Sequence, residues 1–468
     1  MDKLLELPTG ELLQRFGKGN HKPGSGSAAA LQGMLAAQLI RTVISLTTDE
    51  KRKENYKEWI PEMLRMDLEI QQRINPQLQI LFQQDSEQFD KVFKLRVARD
   101  FERDPVRKAE LKDLANQALK PATETVIDIG RLCAELSQFA QLMFENGFKA
   151  VRGDSGVALH DATSAIGGCL SIINLNLLSF GFEDWTEKTR FAAKNLKKEY
   201  EVHSLKTNEC LQILEEEVEK NRLYHLEVNE LRSNLWVGLS MANSDIERIV
   251  RRVQNTLWIY RDIIWKKDTP NNPIELLQPD VVLKKILGYK FSRSDTLGQH
   301  IVNEDLFEIA GIIDKERKVV EVSKSFPLET QNFTVAHELG HAFMHRQTVL
   351  HRDKAIDGSA LRNSREDIEV QADKFAVYFL MPKTQVESIF EELFLVKKIV
   401  ITENTVSSLN VGSVSEFRRK CKDLRGLSIA IASAQYASGR KFMCLAEIFH
   451  VSIKTMAIRL EELNLVEF

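Results

Sequence analysis

At 468 residues the chain is too long for one ordinary hydrophobic core, so two domains, or three, are expected. With 43% hydrophobic and 28% charged residues it reads as globular, and a net charge of −3 gives no overall attraction to nucleic acid or an anionic membrane. The five cysteines (Cys133, Cys169, Cys210, Cys421 and Cys444) are scattered and never in C-x-x-C spacing, which argues for buried thiols in a reducing cytoplasm rather than a disulfide framework.

The opening "MDKLLELPTGELLQRFG" alternates charged and apolar residues and has no continuous apolar core, so no signal peptide is expected. No apolar run is read as reaching membrane length; "GGCLSIINLNLLSF" is short and carries two asparagines. The expectation is a cytoplasmic protein with no membrane partner. In "HKPGSGSAAALQGMLAAQLI", backbone N–H groups at the start of a helix can cradle a phosphate or a carboxylate. The plainer reading is a tight turn before a helix whose small residues admit a close neighbour. No Lys-[Ser/Thr] follows, which disfavours a nucleotide-hydrolysing loop.

Leu31, Leu35, Leu39, Val43 and Leu46 recur every three or four positions and predict one buried helical face. Similar periodicity runs through 56–95, 106–147 and 155–180. From Glu183 to Leu235 good helix formers continue without Pro or Gly, predicting one or two long helices. Asn221 and His225 interrupt the heptads, against a sustained coiled coil. "KKDTPNNPIELLQPD", Lys266 to Asp280, ends the helical half. Two strands, "LFEIAGIID" and "KVVEVSK", follow around the turn "KERK". The expected organisation is mainly α. An all-α domain spans 1–235, a helical linker 236–272 and an α+β domain 273–468 with a helical tail.

"TVAHELGHAFMH", Thr334 to His345, carries the chemistry. On a helix, His337 and His341 share a face and can hold one ion, while Glu338 reaches its open side. That is the zinc-hydrolase pattern: two imidazoles on zinc and a glutamate as general base. The flanking Val335, Ala336, Leu339, Ala342 and Phe343 imply an interior helix; the plainer reading is two hydrogen-bonded buried histidines. In "DIEVQADKFAVYFLMP", Glu369 and Asp373 share a face. Glu369 can supply the third ligand, and Asp373 can orient a liganding histidine through its N–H. The longer H-E-x-x-H-x-x-G-x-x-H pattern fails at Met344 and Gln347, and His345 is read as supporting the site rather than ligating. His351 and Asp353, in the connecting loop, are candidates for oxyanion contact. The tail "KFMCLAEIFHVSIKTMAIRLEELNLVEF" has helix-turn-helix spacing. Glu447, Glu461, Glu462 and Glu467 outnumber Lys441, Lys454 and Arg459, so packing or substrate docking is expected and DNA binding is not.

From about Pro273 onward the chain resembles the ImmA/IrrE metallopeptidases, through "NFTVAHELGHAFMH", "EVQADKFAVYFLMP" and the strand pair "IAGIIDKERKVVEVSKSFP". The resemblance implies a gluzincin-like zinc peptidase acting on a transcriptional repressor or another regulatory or toxin-like partner. Its metal ligands would be His337, His341 and Glu369, and its base Glu338. Residues 3–220 resemble the cyclodeaminase/methenyltetrahydrofolate cyclohydrolase family, an all-helical dimeric fold. The resemblance rests on Pro23-Gly24-Ser25-Gly26-Ser27, on Asp85 to Phe89, on Gly153-Asp154 and on Asn174 in "SIINLNLLSF". It implies a homodimer and a folate-derivative site at those positions. Ser25, Gln88, Gly153 and Leu170 depart from the family's signatures, so the resemblance implies the fold before the reaction. The leading expectation is a zinc endopeptidase under control of the helical domain, in stress response or phage defence. The alternatives are a one-carbon folate enzyme (formiminotetrahydrofolate cyclodeaminase or methenyltetrahydrofolate cyclohydrolase) with an accessory peptidase-like domain, and a non-enzymatic ligand sensor.

Overall fold

A computed structural model describes residues 3–19, 21–233, 241–266, 268–302, 305–345, 351–354 and 367–468, with backbone alone at 300–302, 305–307 and 351–354. The chain divides into two compact units, Met1–Glu217 and Val218–Phe468.

The first unit is helical: α1 (Thr9–Gly17), α2 (Ser25–Thr48), α3 (Ile60–Glu69), α4 (Asn75–Phe101), α5 (Pro105–Asn146), α6 (Arg152–Leu177) and most of α7 (Asp184–Ser233). Asp104 caps α5 by accepting from the N–H groups of Val106 and Arg107, with Pro105 at the first helical position. The face that the periodicity suggested is buried only in part: Val43 is buried and Leu31 and Leu39 pack half-buried against the core, but Leu35 is 53% exposed, and the deepest face carries Ala30, Gly33, Ala37, Ile40 and Ile44. Small residues let neighbouring helices come closer than leucines would; a Cβ on Gly33 would lie 2.8 Å from Cys133 Sγ.

One expectation is corrected by these helices. Ser25–Thr48 and Lys149–Leu177 are long and apolar enough, by length and composition, to cross a membrane. About half of each is buried within the protein, as core helices are.

In the second unit, α8 (Asn243–Ile259), α9 (Arg261–Trp265) and the short α10 (Pro279–Val281) precede the sheet. Then come β1 (Lys290–Ser294), β2 (Gln299–Val302), β3 (Asp305–Asp314), β4 (Val319–Ser323), α11 (Leu328–Met344), β5 (His351–Lys354) and α12 (Asp367–Leu380). The sheet runs β1-β4-β3-β2, with β5 also on β3; only the β1–β4 pair is parallel. His351 and Asp353 thus lie on a strand rather than in a loop, and their side chains fall outside the described set. The stretch read as a linker, 236–272, contributes Ile246, Ile249, Val250, Val253 and Leu257 to one core with Tyr224, Val228 and Leu231 of α7. The boundary therefore falls inside α7, where a sequence of uniform helix formers carries no mark of it.

The remaining elements are α13 (Lys383–Phe394), β6 (Ile399–Val400), α14 (Glu403–Leu409), α15 (Val414–Cys421) and α16 (Leu424–Ala432). They end with β7 (Tyr436–Ala437), β8 (Arg440–Lys441), α17 (Leu445–Ile448), α18 (Ile453–Glu462) and β9 (Val466–Glu467). The helical tail is present, and its α18 packs inward. Arg459 is 5% exposed and donates to the Met381 carbonyl at 3.1 Å, and Lys374 of α12 pairs with Glu462.

Candidate metal centre and its neighbours

Helix α11 is apolar on nearly all sides and buried from Phe333 to Met344, so its few polar side chains must find partners inside the protein. Helix α12 crosses it closely, because Gly340 presents no side chain: a Cβ there would lie 3.0 Å from Phe375 Cβ and 3.2 Å from Ala372 Cα. That approach brings Glu369, one turn back along α12, to the two histidines. His337 Nε2 lies 2.9 Å from His341 Nε2 and 3.2 Å from Glu369 Oε2, and His341 Nε2 lies 3.5 Å from Glu369 Oε1. Tetrahedral zinc with ligands at about 2.0–2.1 Å sets those ligands about 3.3 Å apart, so two imidazoles and a carboxylate in this triangle fit the ion. Burial opposes ionisation of Glu369, but its hydrogen bonds and charge interactions with His337 and His341 outweigh that and hold its carboxyl far below the usual carboxylate range.

The other ring nitrogen of each histidine is held as well. His337 Nδ1–H donates to Asp373 Oδ1 at 2.9 Å. His341 Nδ1 lies 2.8 Å from His345 Nδ1, and His345 Nε2 lies 3.4 Å from Gln371 Oε1. Gln371 Oε1 can only accept, so His345 donates from Nε2 and accepts at Nδ1 the proton on His341 Nδ1. With Nδ1 of each histidine engaged by these partners, Nε2 of His337 and of His341 is the atom turned to Glu369: protonated there the imidazoles hold the carboxylate ionised, and deprotonated there they have the tautomer a metal requires. Burial, with the neighbouring His341 adding to it, pushes His345 down to about 4, which keeps it neutral for this relay.

Glu338 is wholly buried on the next position round α11. Strand β3 makes room for it at Gly311, where a Cβ would lie 2.6 Å from Glu338 Oε1. Lys315, in the β3–β4 turn, donates to the His345 carbonyl at 2.5 Å; burial pushes it down to about 8, against the charge of Glu338. Gly311, Gly340, Gln371 and Lys315 were not picked out from the sequence. A glycine inside a strand pattern was the available signal for Gly311.

In the first unit the structure brings together only part of the expected set. Gly24 precedes α2, and Ser25, Gly26 and Ser27 form its first turn, after a cis Lys22–Pro23 peptide. Asp85 Oδ2 of α4 accepts from Ser27 N at 2.6 Å and from Ser27 Oγ at 2.8 Å. A Cβ on Gly26 would lie 2.1 Å from Asp85 Oδ1. The anion at this helix start is thus the protein's own carboxylate, and burial raises its pKa while the Ser27 hydrogen bonds lower it less. Asp154 opens α6 and Asn174 lies near its other end; twenty residues of helix separate them by about 30 Å, so one chain cannot bring both to one small ligand. Asn174 instead lines a groove with Arg190, Lys194 and Lys197 of α7.

Comparison with known proteins follows the same division. The formiminotransferase-cyclodeaminase family matches residues 8–195. A methenyltetrahydrofolate cyclohydrolase of Methylorubrum extorquens is 30% identical over 178 residues, 37% of this chain and 78% of that protein. The chain belongs to the formiminotransferase-cyclodeaminase family. This membership resides in the first unit; the IrrE N-terminal-like domain, of a peptidase family, matches residues 290–400 and encloses His337, Glu338, His341, Glu369 and Asp373. A solved formiminotetrahydrofolate cyclodeaminase of Thermotoga maritima aligns with 20% identity and a TM-score of 0.39, over 45% of this chain and 98% of its own. This cyclodeaminase-family chain therefore carries both a folate-enzyme domain and a peptidase domain.

Proposed function

We propose that the chain is a zinc-dependent endopeptidase whose cyclodeaminase-like unit serves as sensor and homodimerisation domain. The carrying observation is the donor triangle of His337, His341 and Glu369, with the far nitrogen of each histidine fixed by its own partner. Zinc, when bound, supplies Lewis acidity for peptide hydrolysis. Glu338 takes the proton of the attacking water and delivers it to the leaving amine. Asp373 and the His345–Gln371 pair hold the imidazoles in place, and α11 and α12 keep bulk water from the buried side. The substrate is a regulatory protein such as a repressor or a toxin-like partner, in the cytoplasm, and the activity serves stress response or antiviral defence.

A groove of roughly 850 Å³ with the exposed Leu13, Leu35 and Leu175 on its walls supports the homodimer. The test compares new protein N-termini in cells expressing wild type or Glu338→Gln. Termini that appear only with wild type are expected, and their absence would overturn the peptidase reading. The second reading, turnover of a folate derivative, is supported by the 30% identity to the cyclohydrolase. It predicts consumption of methenyltetrahydrofolate by the full chain, which a spectroscopic assay measures directly.

A further inference from the structure

The end of α12 is held by two elements remote from it in sequence. The last carbonyls of a helix have no partner within it. Gln254 of α8 donates from Nε2 to the Tyr378 and Phe379 carbonyls, both at 3.0 Å. Arg459 of α18 donates from Nε to the carbonyl of Met381, the residue after α12 ends. Arg459 is 5% exposed, and a guanidinium at that depth is costly unless it is paired. Its other contacts lead back to α12. It lies 5.0 Å from the centre of the Tyr378 ring and 3.2 Å from Glu462, which in turn pairs with Lys374. Lys374, Tyr378 and Met381 stand at i, i+4 and i+7, so α18 grips one face of α12. The negative end of the helix dipole adds to the hold on the cation.

An α-helix is stiff along its axis, because hydrogen bonds tie each turn to the next. Glu369 stands about 18 Å before Met381 on this rod, at 1.5 Å per residue. A displacement at the far end therefore reaches Glu369 almost undiminished. The triangle tolerates little: Glu369 Oε2 lies 3.2 Å from His337 Nε2 and Oε1 lies 3.5 Å from His341 Nε2, and a metal site works within about 0.5 Å of its geometry. Close packing at Gly340 sets how near α12 comes to α11. The two caps set how far along its own axis α12 stands.

We propose, on the zinc-site reading above, that Arg459 and Gln254 are positioning residues for the metal centre: by holding the end of α12 they fix where Glu369 stands against His337 and His341. The helical tail thereby takes part in metal binding without touching the metal.

Zinc affinity, by competition with a chelator, and the visible absorption of the cobalt-substituted protein test this on the full chain. Arg459→Met keeps an apolar stem and removes the guanidinium, and Gln254→Met removes the amide of the other cap. Each should weaken zinc binding about tenfold and shift the cobalt bands, which report the arrangement of the ligands. Arg425→Ala breaks the pair between Arg425 and Glu461 of the same α18, away from α12. It should leave zinc affinity within about twofold and the bands in place. Metal-free unfolding, followed alongside, shows which variants are folded; if Arg459→Met is not, Gln254→Met decides. A merely structural role would lower that stability yet leave the affinity and bands of the folded variants as in wild type, and this result overturns the proposal. So does an equal loss in Arg425→Ala. A wild-type chain that binds no zinc removes the metal reading itself, and this inference with it.

Discussion

Replacing Gly26 by alanine isolates the contact that organises the start of α2. An alanine methyl would lie 2.1 Å from Asp85 Oδ1 and 2.5 Å from its Cγ, so the carboxylate must leave its place. Leaving it breaks the hydrogen bonds from Ser27 N and Oγ, both buried, of which Oγ keeps a partner in the Phe82 carbonyl at 3.0 Å. Hydrogen bonds to a charged group and an orphaned buried N–H together cost about 2–4 kcal/mol. Alanine returns up to about 1 kcal/mol as the better helix former. Gly26→Ala should therefore destabilise the first unit by about 1–3 kcal/mol, the difference between those two figures. In an Asp85→Ala background the carboxylate is already absent, and the same change should stabilise by up to about 1 kcal/mol. The coupling energy of the cycle is then about 2–4 kcal/mol. Urea unfolding read by hydrogen exchange of α2 peptides follows this unit by itself, which matters in a chain of two units. Additive single and double variants, within about 0.5 kcal/mol, would refute the steric argument.

Other outcomes follow from the same geometry. His337→Ala and Glu369→Ala should each lose bound zinc by elemental analysis, whereas Asp373→Ala should keep it with an affinity lower by about 10–100-fold in a chelator competition. Gly311→Ala drives a methyl against Glu338 Oε1, so proteolysis should fall sharply while zinc content stays unchanged. The Asp85 carboxyl binds its proton more tightly in the folded than in the unfolded chain, because burial raises it from 3.8. Stability of the first unit should therefore decline as pH rises from 3.8 through that raised value, and Asp85→Asn, which keeps an acceptor for Ser27 without the charge, should flatten the decline in urea titrations across pH 4–7. A decline of equal size in the variant would show that other groups cause it.

The sequence by itself determined the helical first half, the β3–β4 pair, the two site helices and, around the metal triangle, His337, Glu338, His341, His345, Glu369 and Asp373, though not Gln371 or Lys315. Those features are written in local periodicity and in residues a few positions apart, and i, i+4 spacing on a helix is already a three-dimensional statement. Tertiary structure alone decided where the units divide, because the same helix-forming composition runs through α7 while the burial of Tyr224, Val228 and Leu231 belongs to the second core. It decided that Ala30, Gly33 and Ala37 lie deepest on α2 while Leu31 and Leu39 flank them and Leu35 is exposed, since close packing rewards small residues that periodicity ranks below leucine. It also decided that Asp85 occupies the helix start expected to await a ligand, and that Asp154 and Asn174 stand at opposite ends of α6. Contacts between residues 58 positions apart, such as Ser27 and Asp85, leave no local trace in the chain; they exist only once α2 and α4 are packed together.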